Sequence, residues 1–392
     1  MRLKHRAMVL TALTLSATAG DLLLASSEAT TKTGDFALAS SEATTKTAPM
    51  PPARRRVTVA AAWWNVENLF DWVRDPRVFD GDFTPGGANR WTPERYNAKL
   101  DNIASVIARL APDCAGGPAV IGLAEVENRD VVEDLIRRPA IARRRYAIVH
   151  RESPDRRGID VAMLYRPEMF TPEGVRTYRY TLPADTLYRS RDQLLVSGRL
   201  HGARIHFILC HWPSRYGGRL SERLRLHAAA ITRRIVDSLH TVEPGARVVV
   251  MGDMNDNPDD RALRTGLGAA PGVEDALGAA AREPGRAVLY NAAWPLWRRG
   301  VGTLVFLGRW QLFDQTIVSA SLLGGESGGE AVAPRDDGRV RFTGMEVFDR
   351  EFLISGEGRY RGAPRRTFRD GAFDPHGASD HLPVVARFEI GP

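Results

Sequence analysis

The segment Gly252-Asp253-Met254-Asn255 places an acid and an amide two residues apart, directly after the apolar run 248–251. A continuous apolar run that ends in Gly-Asp predicts a buried strand whose carboxylate lies at the edge of a sheet. Side chains two residues apart on an extended backbone point to the same face, where Asp253 and Asn255 would hold a water or an oxyanion beside a metal ion. Asp-x-Asn is also common in turns, so the pattern needs support from other segments.

Four further polar clusters lie at or just beyond the ends of predicted strands. They are Asn65 with Glu67, Glu125 with Glu127, His211 alone, and Asp380 with His381. Each cluster taken singly has an ordinary explanation, since Asn forms turns and Glu is common in solvated loops. Oxygen ligands without a cysteine cluster favour Mg²⁺, Mn²⁺ or Ca²⁺ over Zn²⁺. The five clusters together therefore predict a divalent-metal site at strand ends.

These side-chain types fit the hydrolysis of a phosphodiester. The negative charge of the ester repels a nucleophile, and a divalent ion beside the scissile oxygen offsets that charge. An acid places the attacking water, and two histidines share proton donation and charge stabilisation. A carboxylate behind a histidine fixes its tautomer and favours its charged form. Arg157 and Arg215, in predicted loops near the strand ends, are candidates for contacts with phosphate oxygens.

The composition indicates a globular protein but says little about its partner. The chain has 392 residues, of which 43% are hydrophobic and 26% charged, which is enough for a large core. Its net charge of +7 comes almost wholly from arginine, because only four of its 54 basic residues are lysines. Such a bias arises from GC-rich coding as readily as from nucleic-acid binding, so charge alone supports a polyanionic partner only weakly.

The first residues are typical of an export signal. A basic start, residues 2–6, precedes an apolar stretch, and Ala17-Thr18-Ala19 is a suitable cleavage site. We expect residues 1–25, which carry +2, to be removed on export, leaving a net charge of about +5. Residues 26–56 predict a flexible linker, because the polar ten-residue segment 24–33 recurs at 38–47. Cys114 and Cys210 are expected to be buried free thiols.

Strand-like runs recur from residue 57 onward, with helical patterns between some of them. The predicted strands are 57–64, 119–123, 159–165, 193–200, 205–209, 248–251, 313–318 and 381–390. Apolar residues at helical spacing predict helices over 93–110, with Thr92 as the N-cap, and over 221–239. This pattern favours one α+β domain over residues 57–390, with packed sheets and outer helices. Loop-rich insertions are expected at 260–300 and 324–375.

Four segments carry a family likeness and follow the family's order along the chain. They are Asn65-Val66-Glu67-Asn68-Leu69-Phe70-Asp71, Gly122-Leu123-Ala124-Glu125-Val126-Glu127-Asn128, Gly252-Asp253-Met254-Asn255-Asp256 and Ser379-Asp380-His381-Leu382-Pro383-Val384. They closely resemble motifs of the endonuclease/exonuclease/phosphatase superfamily, which includes DNase I, and the resemblance covers nearly all of residues 57–390. It implies a four-layered α/β sandwich, in which two mixed β-sheets pack face to face with helices outside.

The resemblance also implies roles for individual residues. The implied metal ligands are Asn65, Glu125 and Asp380, with Glu67 as an outer-sphere helper. The implied catalytic residues are Asp253 for the water, Asn255 and His381 for the phosphate, Asp314 to orient His381, and His211 as a second histidine. Asp160 matches a family position and would support the site. The implied cofactor is Mg²⁺, with Mn²⁺ or Ca²⁺ as alternatives.

Three functions stay open at this point. The first is an exported, divalent-metal-dependent nuclease that cleaves DNA or RNA, with nucleic acid as its substrate and no stable protein partner implied. The second keeps the chemistry but acts on a phospholipid headgroup, as a sphingomyelinase does, or on another small phosphoester. Residues 294–310 are the only candidate for the membrane-docking hairpin that such an enzyme needs. The third, a non-catalytic binding module, ranks low because no acid or histidine of the set is missing.

Overall fold

The structure is a computed structural model that describes residues 56–182, 185, 187–324 and 339–391. The predicted export signal, residues 1–25, and residues 26–55 of the predicted linker lie outside the described residues. Within the described part of the chain, no helix is long and apolar enough to cross a membrane. Cys114 and Cys210 are buried free thiols, as expected.

Strands dominate the described chain. In order they are β1 (Val57–Leu69), β2 (Val120–Val126), β3 (Ala147–His150), β4 (Asp160–Tyr165), β5 (Phe170–Tyr178), β6 (Gln193–Leu200), β7 (Ala203–His211), β8 (Val248–Asp253), β9 (Ala269–Ala270), β10 (Leu289–Asn291), β11 (Leu304–Phe306), β12 (Arg309–Gln311), β13 (Asp314–Ser319), β14 (Arg339–Val347), β15 (Phe368–Arg369), β16 (Ala372–Phe373) and β17 (Val384–Gly391). The helices are α1 (Pro93–Ile107), α2 (Arg129–Ile136), α3 (Pro139–Ala142), α4 (Arg219–Val242), α5 (Val273–Arg282) and α6 (Trp294–Arg298). A π-helical turn lies at Ala262–Leu267, and 3₁₀ turns lie at Gly81–Phe83, Ala320–Leu322 and Glu351–Leu353.

The start of α1 follows directly from its sequence. The Thr92 side chain accepts a hydrogen bond from the Arg95 N–H, and Pro93 occupies the first helical position, where its missing N–H costs nothing. The helix ends at Ile107 rather than at the predicted residue 110, and α4 extends the predicted 221–239 at both ends. Both predicted helices are therefore present, with their ends moved by a few residues.

The strands form two large mixed sheets. The first has the order β14-β17-β1-β2-β4-β3, in which β1 and β2 are parallel while β1 and β17 are antiparallel. The second has the order β5-β6-β7-β8-β13-β10-β9, in which β7 and β8 are parallel while β8 and β13 are antiparallel. Two small hairpins, β11-β12 and β15-β16, complete the described strands.

Side chains along β8 alternate between two apolar layers. Val249 and Met251 join the large core that both sheets share. Val248 and Val250 point the other way and pack with Ile235 of α4. A central strand covered on both faces needs an apolar residue at every position, which is the pattern that the sequence shows. The α+β sandwich, with two mixed sheets face to face and helices outside, is confirmed.

Some predicted boundaries and both predicted insertions need correction. The segment 260–300 is not loop-rich, because it holds α5, β10 and α6. In the described part of 324–375, β14 pairs with β17 at the edge of the first sheet. The sequence also failed to predict β5, another edge strand, which carries Pro172 and a register shift. Edge strands bury little of their surface, so their apolar pattern is weak.

Candidate active site

One end of the sandwich collects the predicted site residues from both sheets. The first sheet supplies Asn65 from β1, Glu125 from β2, and Asp380 and His381 from the turn before β17. The second sheet supplies His211 at the end of β7, Asp253 at the end of β8 and Asp314 at the start of β13. His211 and Asp314 lie directly opposite Asp253 on the two neighbouring strands. The site therefore lies across the junction of the two sheets.

Asp253 is buried at the centre of this set. Its Oδ2 accepts a hydrogen bond from Asn65 Nδ2 at 3.1 Å, and its Oδ1 accepts one from the Asn255 N–H at 2.9 Å. Nε2 of His211 lies 3.6 Å from Oδ2, and Nε2 of His381 lies 3.9 Å from it. Burial raises the pKa of Asp253 to about 6, although the nearby His381 opposes the shift. A carboxylate that titrates close to neutral pH suits a base that takes a proton from water.

His381 and Asp314 form a buried hydrogen-bonded pair. Nδ1 of His381 lies 2.7 Å from Oδ2 of Asp314. Burial alone would lower the pKa of His381, but the carboxylates of Asp314 and Asp253 raise it well above its ordinary value. The Ser379 hydroxyl accepts the His381 N–H at 3.0 Å, and the Trp64 indole N–H donates to the His381 carbonyl at 2.9 Å. His381 is therefore a positioned cation that can stabilise negative charge developing on a phosphate.

His211, unlike His381, is held in its neutral form. Burial lowers its pKa well below the ordinary value, and the cationic side chains of Arg191 and Arg157 act in the same direction. Its Nε2 lies 3.8 Å from Oε1 of Glu125 and 3.6 Å from Oδ2 of Asp253. One histidine of the site is thus neutral and the other charged, so the pair can divide hydrogen bonding and charge stabilisation.

The side chains predicted to hold the metal fit a hard divalent cation. Oδ1 of Asn65 accepts the Glu67 N–H at 3.0 Å, and Oε2 of Glu125 accepts the Asn68 N–H at 3.0 Å. Burial, followed by the charge of Asp380, raises the pKa of Glu67 to about 7. Carboxylates crowded to this degree, with oxygen donors throughout, match the preference of Mg²⁺. That Asn65, Glu125 and Asp380 ligate the ion stays a prediction.

The backbone at the site adopts a conformation that residues other than glycine avoid. Glu67, Asn68, Glu125 and Asn255 have φ angles of 53°, 51°, 63° and 50°. In β1 and β2 these residues coincide with register shifts, and both strands continue past the ends that the sequence predicts. Such bulges redirect side chains. Each residue other than glycine held at a positive φ costs about 1–3 kcal/mol, which the surrounding structure must offset.

Asp160 holds the start of the loop 153–158, and its support of the site stays a prediction. Its Oδ1 accepts the Ser153 N–H at 2.8 Å, and its Oδ2 lies 3.0 Å from Nε2 of His150. His150, Glu152 and Asp160 place ligand atoms within 4.8 Å of one another, as do Asp253, Asp314 and His381. In the group of His150, Glu152 and Asp160, both oxygens of Asp160 already accept or share hydrogen bonds within the chain. This group therefore fixes the loop.

Arg157 lies at the exposed end of that loop. Its side chain is 45% exposed, and its Nη1 lies 3.6 Å from Oε1 of Glu125. Asp155 accepts the Arg157 N–H at 2.9 Å and forms a buried ion pair with Arg191 at 3.0 Å. The loop therefore holds an accessible guanidinium beside a predicted metal ligand, as a contact with phosphate requires.

Arg215 is engaged by acids of its own chain. Its Nη2 lies 3.0 Å from Oδ1 of Asp256 and also pairs with Asp260. Its Nε donates to the Asn255 carbonyl at 3.1 Å, and its guanidinium lies 5.0 Å from the centre of the Phe313 ring. These contacts fix the segment that carries Asn255, and the predicted contact of Arg215 with phosphate stays a prediction.

Lys99 is a functional candidate that the sequence analysis missed. It is fully buried, and its ammonium donates to the Thr367 hydroxyl and to the Ala378 carbonyl at 3.2 Å. Burial lowers its pKa to about 8, although the charges of Glu67 and Asp380 oppose the shift. The sequence did carry a signal, because Lys99 interrupts the apolar stripe of α1 in a chain that otherwise uses arginine.

Arg366 is a second basic residue that the sequence did not place at the site. Its Nη2 lies 2.9 Å from Oδ2 of Asp380, and its guanidinium lies 5.2 Å from the centre of the Tyr360 ring. The next residue, Thr367, donates its N–H to Oε2 of Glu67 at 2.7 Å. This segment therefore lies directly against the predicted metal ligands. The sequence marks residues 356–369 as basic with interleaved aromatics, a pattern that fits a nucleic-acid contact or a solvated loop, but it does not place Arg366 beside Asp380.

Comparison with known proteins identifies the family. The model of the Endonuclease/Exonuclease/phosphatase family matches residues 60–389. No curated protein matches the sequence significantly. The chain is similar to the structure of humanized D. rerio TDP2 (14% identity, 84% of this chain and 98% of that chain covered, TM-score 0.48). It is also similar to a mannosyl-6-phosphatase from Bacteroides thetaiotaomicron (14%, 84% and 99%, 0.49) and to the catalytic domain of human Nocturnin (14%, 86% and 97%, 0.47). The chain belongs to the Endonuclease/Exonuclease/phosphatase family, whose members are metal-dependent hydrolases of phosphoesters.

Proposed function

We propose that the chain is an exported, divalent-metal-dependent phosphodiesterase that cleaves nucleic acid, DNA or RNA. The observation that carries the proposal is a buried base next to a buried cation. Asp253, with its pKa raised to about 6, lies 3.9 Å from Nε2 of His381, whose pKa is raised well above its ordinary value. A water held by the carboxylate and a phosphate oxygen held by the imidazolium would be neighbours in such a site.

The side chains divide the work of hydrolysis in this proposal. A Mg²⁺ held by Asn65, Glu125 and Asp380 would offset the charge of the phosphate. Asp253 orients the water and accepts its proton, while the cationic imidazole at position 381 stabilises the charge on the phosphate. Nδ2 of Asn255 donates one hydrogen to the Trp212 carbonyl at 3.0 Å, which leaves its second hydrogen for a phosphate oxygen.

The surroundings of the site favour a nucleic acid over a smaller ester. Arg157 is 45% exposed beside Glu125, and Arg366 is 29% exposed beside Asp380. Both guanidiniums border the predicted metal ligands, where they would contact phosphates that flank the scissile one. The net charge of about +5 expected after loss of residues 1–25 acts in the same direction.

One observation supports a lipid headgroup as the second candidate substrate. The hairpin of β11 and β12 exposes Leu307 (83%) and Trp310 (37%), and Tyr216 (77% exposed) packs against its Phe306. The hairpin adjoins the site, because the Leu382 N–H donates to the Thr303 carbonyl at 2.7 Å. An apolar tip of this kind would enter the surface of a bilayer.

The test is incubation of the purified protein with supercoiled plasmid, structured RNA or sphingomyelin vesicles, each with Mg²⁺ and with EDTA. Metal-dependent nicking or RNA cleavage that Asp253→Asn abolishes would establish the nuclease. Release of phosphocholine without any cleavage of nucleic acid would instead establish the lipid substrate. Fractionation of cells that express the full-length chain tests export, and protein found only in the cytosol would contradict it.

A further inference from the structure

Trp63, on the first sheet, contacts the Asp314 carboxylate of the His381–Asp314 pair across the sheet interface. The indole N–H of Trp63, on β1, donates to Oδ1 of Asp314, on β13, at 3.0 Å. Oδ2 of the same carboxylate lies 2.7 Å from Nδ1 of His381. Trp63 and Asp314 are both fully buried, so water cannot replace this hydrogen bond. We propose that Trp63 is a positioning residue, whose indole N–H fixes the Asp314 carboxylate in the orientation that holds His381.

The geometry leaves the carboxylate little freedom. A carboxylate can rotate about its Cβ–Cγ bond, and a hydrogen bond to one oxygen alone would leave that rotation open. Trp63 fixes Oδ1 and His381 fixes Oδ2, so rotation would break two buried hydrogen bonds at once. The Asp314 N–H also donates to the Thr303 hydroxyl at 3.3 Å, which fixes the backbone of the same residue.

The chain makes room for the Trp63 ring at a specific place. Gly122 lies opposite Trp63 on the parallel strand β2. A Cβ atom at Gly122 would lie 2.6 Å from Cε3 and 3.0 Å from Cζ3 of the Trp63 ring, closer than side chains tolerate. A Gly122→Ala substitution would therefore push the ring, and its N–H with it, away from Asp314. Trp63 acts on the reaction only through Asp314; packing in the core accounts for its ring but not for its N–H.

Trp91 provides a matched control. It is also fully buried, and its indole N–H donates to the Phe70 carbonyl at 2.9 Å, away from the histidine pair. Trp63→Phe and Trp91→Phe each remove one buried indole hydrogen bond while keeping an aromatic ring. Both should lower the thermal midpoint, Trp63→Phe by the larger amount because its N–H donates to a carboxylate rather than to a neutral carbonyl. Only Trp63→Phe should lower kcat, by about tenfold, with KM unchanged.

The decisive experiment is a double-mutant cycle between positions 63 and 314, measured with Mg²⁺ and bis(4-nitrophenyl) phosphate or the nucleic acid that proves to be cleaved. If Trp63 acts through Asp314, Trp63→Phe will lower kcat in the wild-type background but not in Asp314→Ala. Gly122→Ala, which keeps the indole, should lower kcat as Trp63→Phe does. Equal loss of kcat in both backgrounds, or an equal loss in Trp91→Phe, would overturn the proposal.

The kinetic part of this test depends on the proposed phosphodiesterase activity, so a second measurement is independent of activity. NMR of protein labelled with ¹⁵N-tryptophan reports the indole N–H of Trp63 directly. We expect that signal to be protected from exchange in the wild type, and to shift and lose protection in Asp314→Ala, while the Trp91 signal stays unchanged. An unshifted, equally protected Trp63 signal in Asp314→Ala would refute the contact, whatever the substrate proves to be.

Discussion

Replacement of Asp253 by asparagine should slow catalysis greatly and, at the same time, change how stability depends on pH. Asparagine keeps the shape of the side chain but cannot take a proton from water, so kcat should fall by about 10²–10⁴. The carboxylate of Asp253 is buried, and its pKa is raised from 3.8 to about 6. A carboxyl group whose folded pKa is raised stabilises the protein below its unfolded pKa and loses that contribution as pH rises through the folded pKa.

The magnitude follows from the size of the shift. A rise from 3.8 to about 6 corresponds to about 3 kcal/mol between the acidic and alkaline limits. The wild type loses this contribution as pH rises from about 4 to about 8, whereas the asparagine variant has no carboxyl group to ionise. The hydrogen bond from Asn65 Nδ2 to Oδ2, at 3.1 Å, favours the ionised carboxylate, and its effect is already included in the pKa of about 6. As pH rises from about 4 to about 8, the unfolding free energy of the variant should therefore increase relative to that of the wild type by up to about 3 kcal/mol.

Urea unfolding of both proteins in EDTA, at several pH values between about 4 and 8, measures this difference directly. The EDTA removes divalent ions, which would otherwise stabilise the wild type alone. Asp101→Asn, which replaces an exposed carboxylate on α1, serves as the control and should leave both the pH profile and kcat unchanged. The electrostatic reasoning would be refuted if the difference in unfolding free energy between the two proteins stayed constant with pH. It would also be refuted if the wild type gained stability relative to the variant at high pH.

Three further predictions concern groups around the site. Burial raises the pKa of Glu127 to about 8, so Glu127→Gln should become more stable than the wild type as pH rises from about 5 to about 8, by a few kcal/mol in urea unfolding. Lys99→Met removes a buried cation that acts on the predicted metal ligands, so Mg²⁺ should raise the thermal midpoint more in this variant than in the wild type. Arg157→Ala should raise KM for the cleaved substrate by up to about tenfold with little change in stability, whereas Arg215→Ala should lower stability by about 1–3 kcal/mol, because its guanidinium pairs with buried Asp256. Equal effects of the two arginine substitutions on KM would contradict the last prediction.

The fold was predictable because the central strands are apolar on both faces. The run 248–251 is apolar at every position because β8 lies between the sheet interface and α4 and is covered on both faces. Edge strands such as β14 alternate apolar with charged residues and pair with only one described neighbour, so their sequence resembles a loop. The predicted strands β1 and β2 end several residues before the observed ones. The observed strands continue through bulges at Glu67 and Glu125, and the positive φ angles of these residues cannot be inferred from their side chains.

The site was predictable to the extent that its members lie in local motifs. Asp253, Asp380 and His381 stand in short segments at the ends of predicted strands, and the structure brings them together. Trp63 and Lys99 contact partners more than 250 residues away in sequence, and no local pattern reports such contacts. Arg366 contacts Asp380 from 14 residues away, across a turn whose geometry the sequence does not give. Distances between side chains of different sheets depend on packing, which the sequence does not state.

The two sheets each hold an incomplete set of reacting groups. The first carries Asn65, Glu125 and His381, and the second carries His211, Asp253 and Asp314. The spacing between these half-sites is therefore set by the thickness of the apolar layer between the sheets, where Gly122, Trp63 and Leu209 meet. A volume change deep in this layer would alter catalytic distances at the rim while leaving every reacting residue in place. The hydrophobic interior thus works as a spacer for the chemistry, and substitutions tolerated for stability are not automatically tolerated for rate.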